Sequence, residues 1–180
     1  LNHPIIGYIG AISDVLDKDL IIEMAHSLPD ATILLVGPFY TDTSMLVNLN
    51  NIVLIGEVPH DQISTYVHSF DVALIPYLVN EFTDSVYPCK LNEYLAMGIP
   101  VVSTNLEEIR LFEEKYQDSV IIEKSNRDFI LGVERTLNNP DAKSNLECEK
   151  RVKIAKDNTW SKRFNEIVNV IGDSLEIGFT

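Results

Sequence analysis

The chain has 180 residues, of which 46% are hydrophobic, so it can bury the core of one sizeable domain and is not a disordered chain. No apolar run approaches the roughly 20 residues that a membrane-spanning helix needs. The net charge of −13 argues against nucleic-acid binding. The two cysteines favour a reduced, cytoplasmic setting, and the four histidines lack metal-ligand spacing, so we predict no metal site.

Six short apolar runs alternate along the chain with segments of helical length. The runs are almost continuously apolar, which is typical of strands buried on both faces of a parallel sheet. They fall at residues 4–10, 31–37, 51–56, 71–76, 99–104 and 119–123. Their alternation with helices predicts an α/β fold: a Rossmann-like, doubly wound parallel β-sheet of about six strands with helices on both faces.

The predicted helices occupy the intervals between the strands. In the first, at 17–29, Leu20, Ile21, Met24 and Leu28 recur at helical spacing. Pro59 and Pro88 suit helix starts, and Ser125 suits an N-cap. The other helices are expected at 41–49, 59–70, 88–97, 125–139, 142–157 and 160–175.

The chain after about residue 140 is predicted to be helical only. We therefore divide it into a Rossmann-like domain, 1–140, and C-terminal helices, 141–180, which pack on the sheet or on a neighbour. Seven of the 14 basic residues lie within 141–163, either on a solvated helix face or in a contact with another domain or an anionic surface. Trp160 is expected to anchor the last helices by packing.

Ligands of an open parallel sheet bind where the strands end, at their carboxyl ends. The longest loop at that edge is expected at 76–88, and long polar loops on a rigid sheet often carry function. Its polar residues are Tyr77, Asn80, Glu81, Thr83, Asp84 and Ser85.

The helix that follows this loop begins with Pro88 and ends before Gly98. Backbone amides in its first turn, around Cys89 and Lys90, suit a phosphate group, and Lys90 adds a full positive charge. Glu93, one turn further, can accept hydrogen bonds from the hydroxyls of a ribose. These residues favour a phosphorylated nucleoside as the ligand. The alternative is an ordinary surface ion pair between Lys90 and Glu93, three residues apart.

A family signature is visible in residues 88–104, which read PCKLNEYLAMGIPVVST. They resemble the pattern P-x-K-L-x-E-Y-x-A-x-G-x-P-V-V of retaining glycosyltransferases with GT-B architecture. The likeness is closest to family 4 and its members in bacterial cell-surface polysaccharide synthesis. Three further stretches are similar to that family: GYIGAISDVLDKDLIIEMAHSLPDATILLVGP, NIVLIGEVPHDQISTYVHSFDVALIP and DNTWSKRFNEI.

The resemblance implies one half of a GT-B enzyme. Such enzymes have two Rossmann-like domains, and this chain resembles the C-terminal, donor-binding one. We therefore expect a protein about twice as long, whose missing N-terminal domain binds the acceptor. The donor is a nucleotide sugar whose base, UDP, GDP or dTDP, stays open. No metal or other cofactor is implied, and any membrane contact is expected only through the full-length enzyme or its acceptor, at the inner face of the membrane.

The resemblance also assigns roles to single residues. Glu93 matches the second glutamate of the family's E-x7-E motif, which holds the donor ribose. Ser85 stands where the first glutamate would fall, which leaves Asp84 and Glu81 as candidates for contact with the sugar. Lys90 is implied to stabilise the departing diphosphate, and Leu91 beside it is assigned to donor binding.

The phosphate clamp that the family places after its first strand is altered in this sequence. Ala11, Ile12 and Leu16 stand near the usual basic positions, and Lys18 is offset from them. The loop that starts with Gly10 and Ala11 is therefore expected to contact the phosphates. Val58 matches a position whose backbone reads the nucleobase.

Two alternatives to a glycosyltransferase remain at the level of the sequence. A GT-B-shaped sugar-nucleotide epimerase would need catalytic carboxylates and histidines in its cleft, and His60 and His68 have no evident partner. A non-catalytic nucleotide-sugar-binding module would explain the missing first glutamate. Arg110, near the predicted cleft, is expected to form an ion pair with Glu107 or Glu114.

Overall fold

One six-stranded parallel sheet forms the centre of the molecule, in the order β3-β2-β1-β4-β5-β6. The computed structural model describes residues 2–176, with side chains through residue 172. The strands are β1 Ile5–Ile9, β2 Thr32–Val36, β3 Ile52–Gly56, β4 Val72–Ile75, β5 Val101–Thr104 and β6 Ile121–Glu123. All five neighbouring pairs run parallel, so the predicted Rossmann-like sheet of six strands is confirmed.

Nine α-helices surround the sheet within the described residues 2–176. They are α1 Lys18–Ser27, α2 Ser44–Val47, α3 Ile63–His68, α4 Glu81–Asp84, α5 Lys90–Ala96, α6 Glu107–Lys115, α7 Asn126–Asn138, α8 Asn145–Asp157 and α9 Trp160–Glu176. A 3₁₀ turn, His60–Gln62, precedes α3. α1 packs with α7, and α5 packs with α8.

Local sequence explains where several of these elements begin. β1, β2, β4 and β5 are buried along their whole length, as continuously apolar strands should be. The side chain of Asp17 caps α1 by accepting a hydrogen bond from the Leu20 N–H at 2.9 Å. Ser125 accepts one from the Asp128 N–H and caps α7, as predicted. The short helix α4 was not predicted; Asn80 and Thr83 cap each other's backbone at its start.

The C-terminal helices meet the rest of the chain in two different ways. α8 packs on α5, and the Arg151 guanidinium donates to the carbonyl oxygen of Gly98 at 2.8 Å. α9, in contrast, exposes apolar side chains, including 73% of Trp160 and 65% of Phe164. The prediction that Trp160 anchors the last helices by burial is therefore wrong, because its ring lies largely in solvent.

A carboxylate network joins the amino ends of β1 and β4 to the segment before α8. Asp71 Oδ2 accepts from the Ile5 N–H at 2.8 Å and lies 2.9 Å from His3 Nδ1. Asp71 Oδ1 accepts from Lys143 Nζ at 3.0 Å. Burial raises the pKa of this carboxyl, but the bonds from Ile5, His3 and Lys143 outweigh burial and hold it below its usual range.

We expect Asp71→Asn to destabilise the fold by about 1 kcal/mol near neutral pH, because the ionised form accepts these bonds. Since the folded-state pKa is depressed, the stabilisation is fully present above the unfolded-state pKa of about 4 and is lost as pH falls through the folded value. Urea unfolding between about pH 7 and about pH 2.5 measures this loss. Asp61→Asn, at an exposed site, serves as the control. A stability difference that stays constant with pH would contradict the assignment.

Candidate active site

The carboxyl ends of β1 to β4 border a cleft of about 650 Å³. This is the edge at which the reversal of strand order, between β1 and β4, places ligands of doubly wound sheets. Its lining comes from strand ends, the turn after β3 and the start of α5, and includes Gly10, Gly37, Pro38, Glu57, Val58, Pro59, His60, Tyr77, Tyr87, Cys89, Lys90 and Glu93.

Two glycines let the backbone close the floor of this cleft. Gly10 and Gly37 end β1 and β2 with φ values of 133° and 147°, which side-chain-bearing residues rarely adopt. The Gly37 N–H donates to the Gly56 carbonyl at 2.9 Å, and a Cβ added to Gly37 would overlap the Gly10 carbonyl oxygen. The ends of the first three strands are thereby drawn close together.

Lys90 extends from the start of α5 across this floor. Its ammonium donates to the Tyr77 hydroxyl and lies 3.5 Å from the Tyr8 hydroxyl. It also lies 4.5 Å and 4.8 Å from the ring centroids of Tyr77 and Tyr8, which are cation–π distances. A Cβ added to Gly10 would be 3.1 Å from Nζ, so the ammonium lies over the end of β1.

α5 is fixed to the sheet by its buried face. The Tyr94 hydroxyl accepts a hydrogen bond from the Ile9 N–H at 2.9 Å, and Leu91 and Leu95 are fully buried. This packing leaves Lys90 and Glu93 on the face that borders the cleft. The structure thus brings four predicted donor-site residues to one cleft: Lys90, Glu93, Gly10 and Val58.

The ion pair weighed as an alternative for Lys90 and Glu93 is wrong. Among the described side chains, the ion pairs do not include Lys90, whose ammonium faces the two tyrosines. Glu93 is exposed at the mouth of the cleft. The predicted ion pair between Arg110 and Glu107 is confirmed.

Other predicted site residues do not line the cleft. Lys18 Nζ donates to Thr41 Oγ1 at 3.1 Å and to the Asp42 carbonyl. Its side chain is therefore directed at the loop after β2 and not into the cleft. Leu91 is a core residue with no exposed side chain. The Ala11 carbonyl oxygen accepts a hydrogen bond from the Tyr8 hydroxyl group.

The three residues proposed near the donor sugar lie on or after α4. Glu81 is exposed in its first turn, and Ser85 donates to the Phe82 carbonyl. The Asp84 carboxylate accepts from the Glu107 N–H at 3.2 Å and so contacts the first turn of α6. This hydrogen bond connects Asp84 to the start of α6, a contact that the sequence analysis did not predict.

The sequence analysis missed Tyr8, which does not line the cleft itself but contacts the ammonium of Lys90. It lies inside β1, 1% exposed, and its hydroxyl donates to the Ala11 carbonyl at 2.9 Å. Burial, with the neighbouring hydroxyls of Tyr77 and Tyr94, raises the pKa of Tyr8 well above its usual range, so it stays neutral. A tyrosine at the next-to-last position of an apolar strand was the available signal, because a buried hydroxyl needs a partner.

Two classes of feature are absent from the part of the chain that the structure describes. None of its helices is long and apolar enough to cross a bilayer. Nor do three or more His, Cys, Asp or Glu side chains converge there as metal ligands. That the site works without a metal stays a prediction.

Comparison with known proteins decides the family. The model of the family described as glycosyl transferases group 1 matches residues 3–139, more than half of the chain. The chain belongs to the glycosyl transferases group 1 family. This group 1 chain is also 30% identical over 172 residues to TuaH of Bacillus subtilis (strain 168), which is named as a teichuronic acid biosynthesis glycosyltransferase. The match covers 93% of the chain and 43% of TuaH.

Solved structures share the fold of this group 1 domain. Anabaena HepE in complex with UDP superposes with a TM-score of 0.79 at 12% identity, over 96% of the chain and 49% of HepE. Sucrose-phosphate synthase from Thermosynechococcus elongatus gives 0.75 at 15% identity, over 97% and 46%. The match to one half of a GT-B glycosyltransferase, expected from the sequence, is confirmed at the level of the fold.

Proposed function

We propose that this chain is the C-terminal, donor-binding half of a retaining, family 4-like glycosyltransferase of GT-B architecture. In this proposal it binds a nucleotide sugar whose sugar is transferred to an acceptor in bacterial cell-surface polysaccharide synthesis. Membership of the glycosyl transferases group 1 family supports the transferase class over a sugar-nucleotide epimerase. The name of TuaH supports the polysaccharide role.

One observation carries the proposal: an ammonium and a carboxylate border the same cleft at the carboxyl ends of the strands. Lys90 lies on the cleft floor, over the end of β1, where a diphosphate would be held. Glu93 lies one turn further along α5, at the mouth, where ribose hydroxyls can donate to it. Val58 and Pro59, beyond β3, line the same cleft and would contact the base.

Lys90 has the properties that the chemistry requires. When the bond between sugar and diphosphate breaks, negative charge grows on the leaving oxygen, and a fixed cation there lowers the barrier. Lys18 and Lys90 are the two basic residues in 1–109, and Lys18 is directed at Thr41. In the proposed mechanism Lys90 therefore supplies the stabilising charge without a metal or other cofactor.

The proposal includes a further domain, because the chain spans 43% of the relative TuaH and 49% of HepE. The N-terminal half would supply the acceptor site. The exposed apolar face of α9, with Trp160, Phe164 and Ile167, is a candidate surface for it. Two free cysteines, Cys89 and Cys148, fit a cytoplasmic enzyme, with any membrane contact made at the inner face by the longer protein or its acceptor.

Calorimetric titration with UDP, GDP and dTDP tests the proposal directly. One of these nucleotides is expected to bind the chain, and more weakly than it binds the longer protein. The absence of binding by all three, with the chain folded, would overturn it.

Glu93→Gln is the matching variant for the ribose contact. We expect about a tenfold higher Kd for the nucleotide that binds, because hydrogen bonds to a charged acceptor are lost or weakened. Glu149→Gln, at an exposed position on α8, is the control and should bind like the unaltered chain. An unchanged Kd for Glu93→Gln would remove the ribose assignment.

A further inference from the structure

The ammonium of Lys90 is held by neutral groups rather than by a carboxylate. It donates to the Tyr77 hydroxyl, lies within reach of the Tyr8 hydroxyl, and faces both rings at cation–π distance. A carboxylate partner would cancel most of the charge and compete with an anionic ligand. Tyrosines fix the direction of the ammonium and leave its full charge available.

The two tyrosines are themselves fixed. Tyr8 is enclosed in β1, and its hydroxyl proton is directed to the Ala11 carbonyl, which leaves an oxygen lone pair for Lys90. Tyr77 lies two residues beyond the end of β4, and its carbonyl accepts from Thr104 Oγ1 at 2.8 Å. A bridge between Leu16 and Tyr77 ties the same residue to the loop after β1.

This rigid support matters because a free lysine side chain samples many rotamers. Ordering it when a ligand binds costs conformational entropy, which weakens binding. In this fold the protein has already ordered the side chain. The ammonium has three N–H groups, and two tyrosine oxygens leave at least one for a ligand in the cleft.

We propose that Tyr77, assisted by Tyr8, is a positioning residue that holds the Lys90 ammonium for the terminal phosphate of a nucleoside diphosphate. The pair thereby sets the preference of the cleft for a diphosphate over the corresponding monophosphate. This inference rests on the proposed function, since it assigns a determinant of specificity within the same donor site.

Tyr77→Phe is the sharpest test, because it removes the hydroxyl acceptor and keeps the ring. Binding of UDP, GDP and dTDP is compared by calorimetry with binding of UMP, GMP and dTMP. For the base that binds, we expect Tyr77→Phe to weaken the diphosphate about tenfold and the monophosphate less than about twofold. Tyr116→Phe, the same chemical change just after α6 and outside the cleft, should alter neither.

A double-mutant cycle separates positioning from a general structural effect. In a Lys90→Met background, Tyr77→Phe is expected to change diphosphate affinity less than about twofold, because the group that it positions is gone. Thermal unfolding of each variant verifies that it is folded.

Four outcomes would count against the inference in different ways. Equal weakening of diphosphate and monophosphate by Tyr77→Phe, or the same loss with and without Lys90, would overturn the positioning role. Unchanged diphosphate affinity would also overturn it. Failure of the unaltered, folded chain to bind any of the six nucleotides would refute the proposed function, and this inference with it.

Discussion

Lys90→Ala is expected to lower kcat of the proposed longer glycosyltransferase by about 100- to 1000-fold, the usual loss when one group that stabilises a developing oxyanion is removed. The variant loses the ammonium that the two tyrosines hold over the end of β1. Its free energy of unfolding should change by less than about 1 kcal/mol, because the side chain lines a cleft rather than the core. The two effects therefore separate catalysis from stability.

Steady-state kinetics with the nucleotide sugar and urea unfolding measure these two quantities. Lys153→Ala, at an exposed position on α8, provides the control for loss of a positive charge and should retain its turnover. If Lys90→Ala turns over as fast as the unaltered enzyme, the leaving-group role of Lys90 is excluded.

Gly37→Ala should have the largest effect on stability of any single substitution considered for this chain. Its Cβ would overlap the backbone carbonyl of Gly10, which cannot move away as a flexible side chain could. The φ of 147° adds strain for any residue that has a side chain. We expect a loss of at least about 3 kcal/mol in the free energy of unfolding, or failure to fold.

Urea unfolding compares this variant with a glycine that has room around it. Gly172 lies in α9, and among the described residues a Cβ added there would meet no atom within 4 Å apart from its chain neighbours and its own helix backbone. Gly172→Ala should therefore be neutral or stabilising by up to about 1 kcal/mol. Any nucleotide binding should be lost with Gly37→Ala, because β1 and β2 would separate at the cleft floor. Comparable stability of the two variants would show that the strand ends can relax.

The strands were predictable because burial on both faces leaves a continuous apolar run. β2, for example, reads TILLV, with every residue buried. Strand bounds in the structure differ from the predicted ones by at most two residues at each end. The helix α4 was not predicted because its four residues, Glu81–Asp84, lie within the polar segment 76–88, whose composition favours a loop.

The exposure of Trp160 could not be predicted from its residue type. Tryptophan is usually at least partly buried, and buried aromatic side chains contribute strongly to core stability, which suggested a packing role for Trp160. In the structure 73% of its surface is exposed, together with Phe164 on the same helix. A sequence shows that a helix has an apolar face, but whether the chain itself covers that face depends on tertiary packing.

The candidate site could be predicted only in part from the sequence, because some of its contacts depend on tertiary packing. Lys90 and Glu93 were found because both lie in one short signature on one helix. Tyr8 and Lys90 are 82 residues apart in the sequence, and no local sequence pattern predicts their contact. Asp84 and Ser85 were placed by motif spacing, yet the unpredicted helix α4 directs them toward α6 and their own backbone.

The contacts of α8 have a practical consequence for where this protein can be cut. The family match ends at residue 139, which looks like a natural boundary for a recombinant fragment. Asn158, however, donates to Tyr87 and Asn92, which flank the start of α5, and Arg151 holds the Gly98 carbonyl just beyond its end. A fragment that ended at that boundary would lack α8, which packs on α5, the helix that carries Lys90. Expression and crystallisation work should therefore retain the chain through Asn158.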